Sequence, residues 1–471
     1  MSTFSDSLLS TFRSSFGGTV LKDGDDEYDA TLARAVWNGD IRRRPAVIAE
    51  PLGAADVATA VSFARRHDLD LTVRGGGHSF AGHAVSDGGL MIDLGALNDV
   101  AVDPVNRRAR CGGGARWSEL DAATAGHGLA VTGGFVSHTG VGGLTLGGGM
   151  GWLTRRAGLS CDNLVSAEVV TADGRTVTAS TGTNPDLFWA LRGGGGNFGV
   201  VTSFEFALHE LPPMANAGLF FWRPEDAKMP LQLARDLIHA LPREYGGFIG
   251  GLSAPPAPFV PESLHGATVF LVAVVNWDTP EALAAAVAPL RVLGPLFELV
   301  TPIPYAALQQ LFDASAPWGI LGYEKALYLD QLSDAVIDIA IEHLPRKQSP
   351  LTFLPIFALG GAFADVPEGD TAFGGSRATR WTFNIAALAT QHDVFAADRA
   401  WARALWDALR PHGMGAGGYI NFLSDEDEDR VRATYGEAKY RRLSEVKAAW
   451  DPDNVFHHNA NIRPAVAATV S

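Results

Sequence analysis

The 471-residue chain predicts an α+β fold in which a glycine-rich unit made of both chain ends encloses an inserted sheet-and-helix unit. Three observations predict it. The triple and quadruple glycine runs all precede about residue 200, and strands and helices separate them, which low-complexity sequence does not do. Leu211-Pro212-Pro213 then breaks the pattern, and long apolar strands alternate with helices at ordinary glycine density. Beyond about residue 410 the short signals return. The units therefore run 1–213, 214–410 and 411–471, the last packing back on the first.

Within the first unit, residues 50–67 have helical period, with Val57, Val61 and Ala64 on one face. The apolar run 69–73 and the run 88–94 predict two short strands. Trp117–Ala125 predicts a helix that stops at Gly126, and residues 164–171 predict a strand. Asn184 suits the N-cap of a third helix, with Pro185 in its first turn. Residues 200–208 alternate as a strand does.

In the middle unit, residues 267–275 and 381–386 predict strands. Thr279 caps a helix with Pro280 at its first position and Gly294 near its end; Ser333-Asp334 opens another, and 391–410 forms a long third. This composition predicts an antiparallel sheet with helices on one face. The final unit offers the short segment 417–422, an amphipathic helix over 427–450, and an irregular tail through Asn459. No internal repeat is evident.

Composition narrows the function. Net charge is −15 with no basic stripe, which excludes nucleic acid as a partner. No apolar run of about eighteen residues occurs, so no membrane span is expected. Two cysteines far apart in sequence exclude a disulfide framework. With no signal-peptide pattern at the start, a cytoplasmic location is expected.

The most informative stretch is Arg74-Gly75-Gly76-Gly77-His78-Ser79-Phe80-Ala81-Gly82-His83, a loop between two predicted strands. Glycine lets backbone approach a ligand closely, and an imidazole held there can coordinate, shuttle a proton or form a covalent bond. Several such loops fit a long, flat, phosphate-bearing ligand. Gly194-Gly195-Gly196-Asn197-Phe198-Gly199 satisfies GxGxxG, but it follows a helix and leads into a strand, the reverse of a dinucleotide fingerprint. A P-loop and a GxSxG elbow are both absent. The pairs His78/His83 and His457/His458 lack metal-ligand spacing, so no metal is expected. Cys161 is expected to be a buried small side chain.

The chain resembles FAD-linked oxidases of the vanillyl-alcohol-oxidase superfamily, in the berberine-bridge-enzyme-like branch. The resemblance is carried by residues 74–79, by Thr139-Gly140-Val141-Gly142-Gly143 with Gly147-Gly148-Gly149-Met150-Gly151, by 158–163, by 192–201, and by Trp450-Asp451-Pro452-Asp453-Asn454-Val455-Phe456 with Asn459. It implies a bipartite, two-subdomain FAD-binding domain split by an antiparallel-sheet substrate domain. It implies FAD bonded through His78 at the flavin 8-methyl group. The implied cofactor neighbours are Arg74, Gly75, Gly76, Gly77, Ser79, Gly82 and His83. Gly134, Thr139, Gly142, Gly143, Gly147 and Gly149 join them, as do Asp162, Asn163, Gly199, Val200, Tyr419, Asn421 and Asn459.

Two departures stand out. Many members bond a cysteine to the flavin 6-position; here Val136 occupies that place, so a single histidyl link is expected. Members often end the sheet with Tyr-x-Asn-Tyr, the last tyrosine acting as base. Here the segment is Tyr419-Ile420-Asn421-Phe422, and Phe422 has no proton to exchange. Tyr419, His138 and Asn421 are the candidate catalytic residues, with Tyr323 or Glu324 from the middle unit as further candidate bases. The implied activity is hydride removal from a carbon next to oxygen or nitrogen in a small-molecule alcohol, amine or sugar. The electrons would go to dioxygen, giving hydrogen peroxide, or to another acceptor. A dehydrogenase and a flavin-containing binding protein are the rival readings. A bacterial source and a monomer or homodimer are expected.

Overall fold

The computed structural model describes residues 6–415, 417–424 and 428–466. Three large sheets and a two-stranded ribbon, Leu129–Ala130 with His209–Glu210, build the described molecule. The first has strand order Thr19–Lys22, Val47–Glu50, Leu90–Asp93, Leu71–Arg74, the last three mutually parallel. Parallel neighbours need a crossover. The helix Ala54–Arg66 supplies it, burying Val57, Ala60, Val61 and Ala64 against Val47, Leu71, Leu90 and Ile92. The loop from Arg74 to Leu90 leaves this sheet at the end of a strand, which puts His78 at the sheet's edge.

The second sheet is antiparallel, in the order Val100–Asp103, Arg108–Gly112, Val200–Ala207, Leu164–Val170, Thr176–Ser180. The helices Trp117–Ala125 and Pro185–Leu191 share its core. The C-terminal tail locks onto its glycine run. The Lys447 ammonium, fully buried, donates to Asp451 at 2.7 Å and to the Asn197 and Phe456 carbonyls at 2.6 and 2.9 Å. A buried charge needs such partners.

The third sheet has seven antiparallel strands: Phe297–Pro304, Met214–Trp222, Thr268–Asn276, Gly246–Ser253, Leu354–Ala358, Trp381–Ala389, Leu321–Leu329. Alternate residues face opposite sides. Val272, Leu327, Phe383 and Ile385 pack under the helices Lys228–Ala240, Pro280–Val292, Asp334–His343 and His392–Leu409. Phe221, Phe248, Leu271 and Phe357 face the other way, toward Trp152 and Leu153 of the first unit. Helices therefore cover one face, as composition predicts. The glycine-rich unit covers the other.

Local signals held where a side chain satisfies an orphan amide. Thr279 Oγ1 accepts from Ala282 N, and Ser333 Oγ accepts from Val336 N. Asn184 does precede its helix, but at φ +50° its side chain makes no cap and donates to the Thr178 carbonyl at 2.7 Å. The helix expected over 50–67 spans Ala54–Arg66, beginning after Pro51-Leu52-Gly53. Tyr419-Ile420-Asn421-Phe422 does not end a sheet; residues 420–422 form one 3₁₀ turn. The helix expected from 427 is described as Glu428–Trp450, Asp427 lying outside the described residues, and Gly436 at φ +70° breaks it in two. The edge strand Phe297–Pro304 carries Pro302 and Pro304, a composition only a sheet edge tolerates. Among the described residues no helix is long and apolar enough to cross a membrane.

Candidate active site

The three sheets meet around one cavity of about 940 Å³. Its first wall is backbone. Gly75, Gly76, Gly77, His78, Ser79 and His83 come from the loop between the parallel strands. Gly134, Thr139, Gly142 and Gly143 come from the segment before and inside the helix Val141–Leu146. Gly199 and Val200 lead into the second sheet, and Tyr419, Asn421 and Asn459 come from the C-terminal unit. The opposite wall belongs to the seven-stranded sheet and is mostly apolar, with Phe221, Phe248 and Phe357 among Leu219, Leu252, Leu271 and Leu388.

The glycines divide by what a side chain would meet. A Cβ on Gly76 would lie 2.2 Å from Gly140 N, so this glycine lets two loops touch. At Gly143 and Gly196, both lining the cavity, a Cβ would meet nothing within 4 Å. Bare backbone there faces open space that a flat ligand can fill. This is the fit that a bound flavin dinucleotide requires.

His78 stands at one end of that wall. Its ring stacks on Trp37 at 5.2 Å and meets the edge of Trp318 at 5.7 Å. Its Nε2 lies 2.7 Å from Nδ1 of His138. Burial drives the His78 pKa well below its usual value, with the charges of His138, Arg116 and Arg74 adding to it. Burial also lowers His138, partly offset by Asp313. Asp313 fixes the segment before His138: its carboxylate accepts from Ser137 N at 2.8 Å and Ser137 Oγ at 2.6 Å. Both rings are thus neutral at physiological pH and share one proton between two nitrogens.

Several residues implied at the cofactor lie behind the wall. Arg74 is buried and pairs with Asp93 at 2.9 Å, bridging neighbouring parallel strands. Asp162 takes both arms of Arg377, at 2.7 and 2.8 Å, and caps Leu159 N. Asn163 Nδ2 donates to the Ala157 and Leu159 carbonyls. Gly82 at φ +72° packs on Ile41, Gly149 at φ +91° packs on Ser160, and Gly147 abuts Asn421. None of these six lines the cavity, nor does His138, which reaches it only through His78. Cys161 is buried, with burial raising its thiol pKa well above the usual value, so it offers no thiolate.

The candidate bases separate clearly. The Tyr419 hydroxyl accepts from Gly149 N at 2.6 Å and from Asn421 Nδ2 at 2.9 Å, and burial raises its pKa. It holds the glycine loop in place, and its raised pKa keeps the hydroxyl protonated. Asn421 also donates to the Leu144 carbonyl at 3.0 Å. Tyr323 points to the helix side of the sheet and accepts from Arg403 Nε at 3.1 Å. Its neighbour Glu324 points the other way and lines the cavity with Asn384. Burial pushes the Glu324 carboxyl up to about 8.

Sequence reasoning missed Trp37, Trp318, Asp313 and Asn384. Trp37 and Trp318 carry no local motif. They reach His78 together because Gly319 N donates to the Trp37 carbonyl at 2.9 Å and Trp37 Nε1 to that of Ala316 at 2.8 Å. Asn384 had a signal, since a polar residue at alternate spacing inside an apolar strand marks a solvent or ligand face.

Residues 45–180 match the FAD binding domain family, and residues 418–463 match a family described as berberine and berberine-like. (R)-6-hydroxynicotine oxidase of Paenarthrobacter nicotinovorans is 33% identical over 465 residues, covering 96% of this chain and 97% of that protein. The solved structure of 6-hydroxy-D-nicotine oxidase from Arthrobacter nicotinovorans superimposes with a TM-score of 0.82 at 29% identity, covering 96% of this chain and 99% of that one. Glucooligosaccharide oxidase from Acremonium strictum, described with a 6-S-cysteinyl, 8α-N1-histidyl FAD, shares the fold with a TM-score of 0.83 at 23% identity, covering 98% of this chain and all of that one.

Proposed function

The chain belongs to the berberine-bridge-enzyme-like family of FAD-linked oxidoreductases, and on that premise we propose that it is an oxidase carrying FAD bonded through Nδ1 of His78. The observation that carries the attachment is the 2.7 Å contact between His78 Nε2 and His138 Nδ1. With both rings neutral and His138 hydrogen-bonded to the Asp313 backbone through its other nitrogen, His138 Nδ1 accepts, so His78 donates its Nε2 proton and keeps a lone pair on Nδ1. A neutral Nδ1 is the nucleophile that bonding to the flavin 8-methyl carbon demands. His138 would hold the Nε2 proton of His78, leaving Nδ1 free to bond the cofactor.

The rest of the cavity suits the cofactor. Gly143 and Gly196 leave room for a flat ring system and its dinucleotide tail, and Trp37 fixes the imidazole plane. Val136 offers hydrocarbon where relatives place a second bond, and Cys161 is held elsewhere by burial, so the link is single. Residues 1–213 and 411–471 hold the cofactor, and 214–410 hold the substrate.

When bound, the flavin supplies the hydride acceptor and passes the electrons to dioxygen, giving hydrogen peroxide. The substrate is a small molecule with a carbon–hydrogen bond next to oxygen or nitrogen. Two buried free thiols suit a reducing cytoplasm. The test is acid precipitation of the native protein and of His78→Ala, with peroxide release followed over a panel of amines and alcohols. Native precipitate should be yellow and variant precipitate colourless, and at least one substrate should release peroxide. Yellow His78→Ala precipitate would refute the attachment site, and flavin that no substrate bleaches without oxygen would refute the oxidase reading.

A further inference from the structure

The cavity wall opposite the glycines has a composition of its own. It is built from the strands 246–253, 354–358, 381–389 and 321–329, on the face away from the helices. Phe248, Phe312 and Phe357 cluster there with Phe135, which stacks on Phe357 at 4.6 Å. Phe221, Phe353 and Phe422 add further rings, and Leu252, Leu271 and Leu388 add aliphatic surface. Polar side chains on this wall are already satisfied within the protein, with two exceptions. Ser253 Oγ accepts from Lys347, His265 bonds to the Val260 carbonyl, and Ser315 donates to the Phe312 carbonyl.

The exceptions are Glu324 and Asn384. Each is 2% exposed. They sit on neighbouring strands, Glu324 opposite Ala386 and Asn384 opposite Ala326, so both project from one face two residues apart. Asn384 Nδ2 donates to Glu324 Oε1. Glu324 Oε2 and Asn384 Oδ1 are buried with no hydrogen-bond partner. Buried polar atoms in a folded protein are nearly always satisfied, and an orphan pair facing a cavity marks where a ligand completes the set.

The pair is also held rigidly. Glu324 N donates to Ser424 Oγ at 2.8 Å, just after the turn that carries Phe422. Two residues earlier, Asn38 accepts from Gly322 N at 2.9 Å and donates to the Gly322 and Phe80 carbonyls at 2.8 and 2.7 Å. Phe80 lies two residues beyond His78. The pair is therefore braced between the His78 loop and the C-terminal turn. A protonated carboxyl at Glu324, as its raised pKa favours at neutral pH, presents a donor at Oε2 beside the Asn384 acceptor.

Resting on the oxidase reading above, we propose that Glu324 and Asn384 anchor the substrate's one polar group, a hydroxyl or amine on a ring-bearing, otherwise apolar molecule. A sugar does not fit. Its many hydroxyls would be stripped of water against phenyl rings, each unpaired one costing about 1–3 kcal/mol, and this wall offers two open polar atoms. A hydroxyl or amine can accept from Oε2–H and donate to Oδ1, satisfying both orphans at once, while the ring fills the phenyl-lined space.

The test uses the flavin-loaded protein with 2-phenylpyrrolidine, 1-phenylethanol and 4-ethylphenol as ring probes and cellobiose as the sugar. Binding is read from the flavin absorbance and from tryptophan fluorescence. At least one ring probe should bind, and cellobiose should not at tenfold higher concentration. Glu324→Leu should weaken that probe about tenfold or more, the loss of one hydrogen bond to a buried polar group. Glu324→Gln, which keeps a donor and an acceptor, should stay within about threefold. Ethylbenzene should bind Glu324→Leu as well as the native protein, which shows the variant is folded. Asn384→Leu repeats the measurement independently. Cellobiose binding, failure of every ring probe, or a Leu variant with unaltered probe affinity would overturn the proposal. Failure of the oxidase reading looks different: Glu324-dependent binding would persist in the fluorescence while no probe bleaches the flavin.

Discussion

Replacing Gly143 with leucine should abolish flavin binding without harming the fold. Gly143 lies inside the helix Val141–Leu146, has no positive φ, and leaves a Cβ nothing to touch within 4 Å. Leucine in a helix interior is more favourable than glycine by roughly 0.5–1 kcal/mol, so the cofactor-free variant should melt at or slightly above the native apoprotein. The same side chain projects into the cavity and occupies the bed of a flat ligand. The control is Gly76→Ala, whose Cβ would fall 2.2 Å from Gly140 N. Overpacking of that kind typically costs about 1–3 kcal/mol, and here the partner is backbone. Thermal melts of the apoproteins and the ratio of visible to ultraviolet absorbance after flavin loading separate the two effects. The expected pattern is a stable, colourless Gly143→Leu and a destabilised Gly76→Ala. A Gly143→Leu protein with a full complement of flavin would refute the assignment of this wall to the cofactor.

Three further outcomes follow from particular contacts. His138→Phe should slow covalent attachment at neutral pH and leave flavin that acid extracts, because His78 loses the acceptor for its Nε2 proton; attachment at native speed would contradict the tautomer argument. Asp121 is fully buried, and burial raises its carboxyl to about 7. The native state therefore keeps a proton that the unfolded chain releases near pH 4. Stability should fall by about 1.4 kcal/mol per pH unit between roughly pH 4 and 7 on this account. Asp121→Asn should flatten that slope and melt higher at pH 8, as thermal melts across the range would show. Arg377→Met leaves the buried Asp162 carboxylate unpaired, so it should destabilise by about 3–5 kcal/mol in denaturant titrations.

How far the sequence carried the reading depends on the kind of contact. Periodicity found the helix Ala54–Arg66 and the strand Thr268–Asn276, because burial of one face imposes it. The strand Gly246–Ser253, with the sequence GGFIGGLS, has no such pattern. Its glycines lie against neighbouring strands and Leu344, a tertiary fact. The glycine runs announced a ligand, yet Gly76 and Gly143 look identical in one dimension. Only the fold shows that the first admits a neighbouring loop and the second faces the open cavity. Arg74 precedes the histidine motif and so looked like part of it, whereas its partner Asp93 comes from the next strand over. Tyr323 and Glu324 were inseparable as candidates because alternation puts one on each face without saying which face holds the cavity. Trp37 and Trp318 come to His78 only through folding, since nothing local relates positions so far apart.

The central claim is the covalent bond at His78, and intact mass spectrometry of the native protein, followed by peptide mapping, tests it most directly. The expected mass is the polypeptide plus one FAD less two hydrogens, the whole increment residing on the peptide that contains His78 and none on that containing Cys161. An unmodified polypeptide, or an increment mapped to any other residue, would contradict the account.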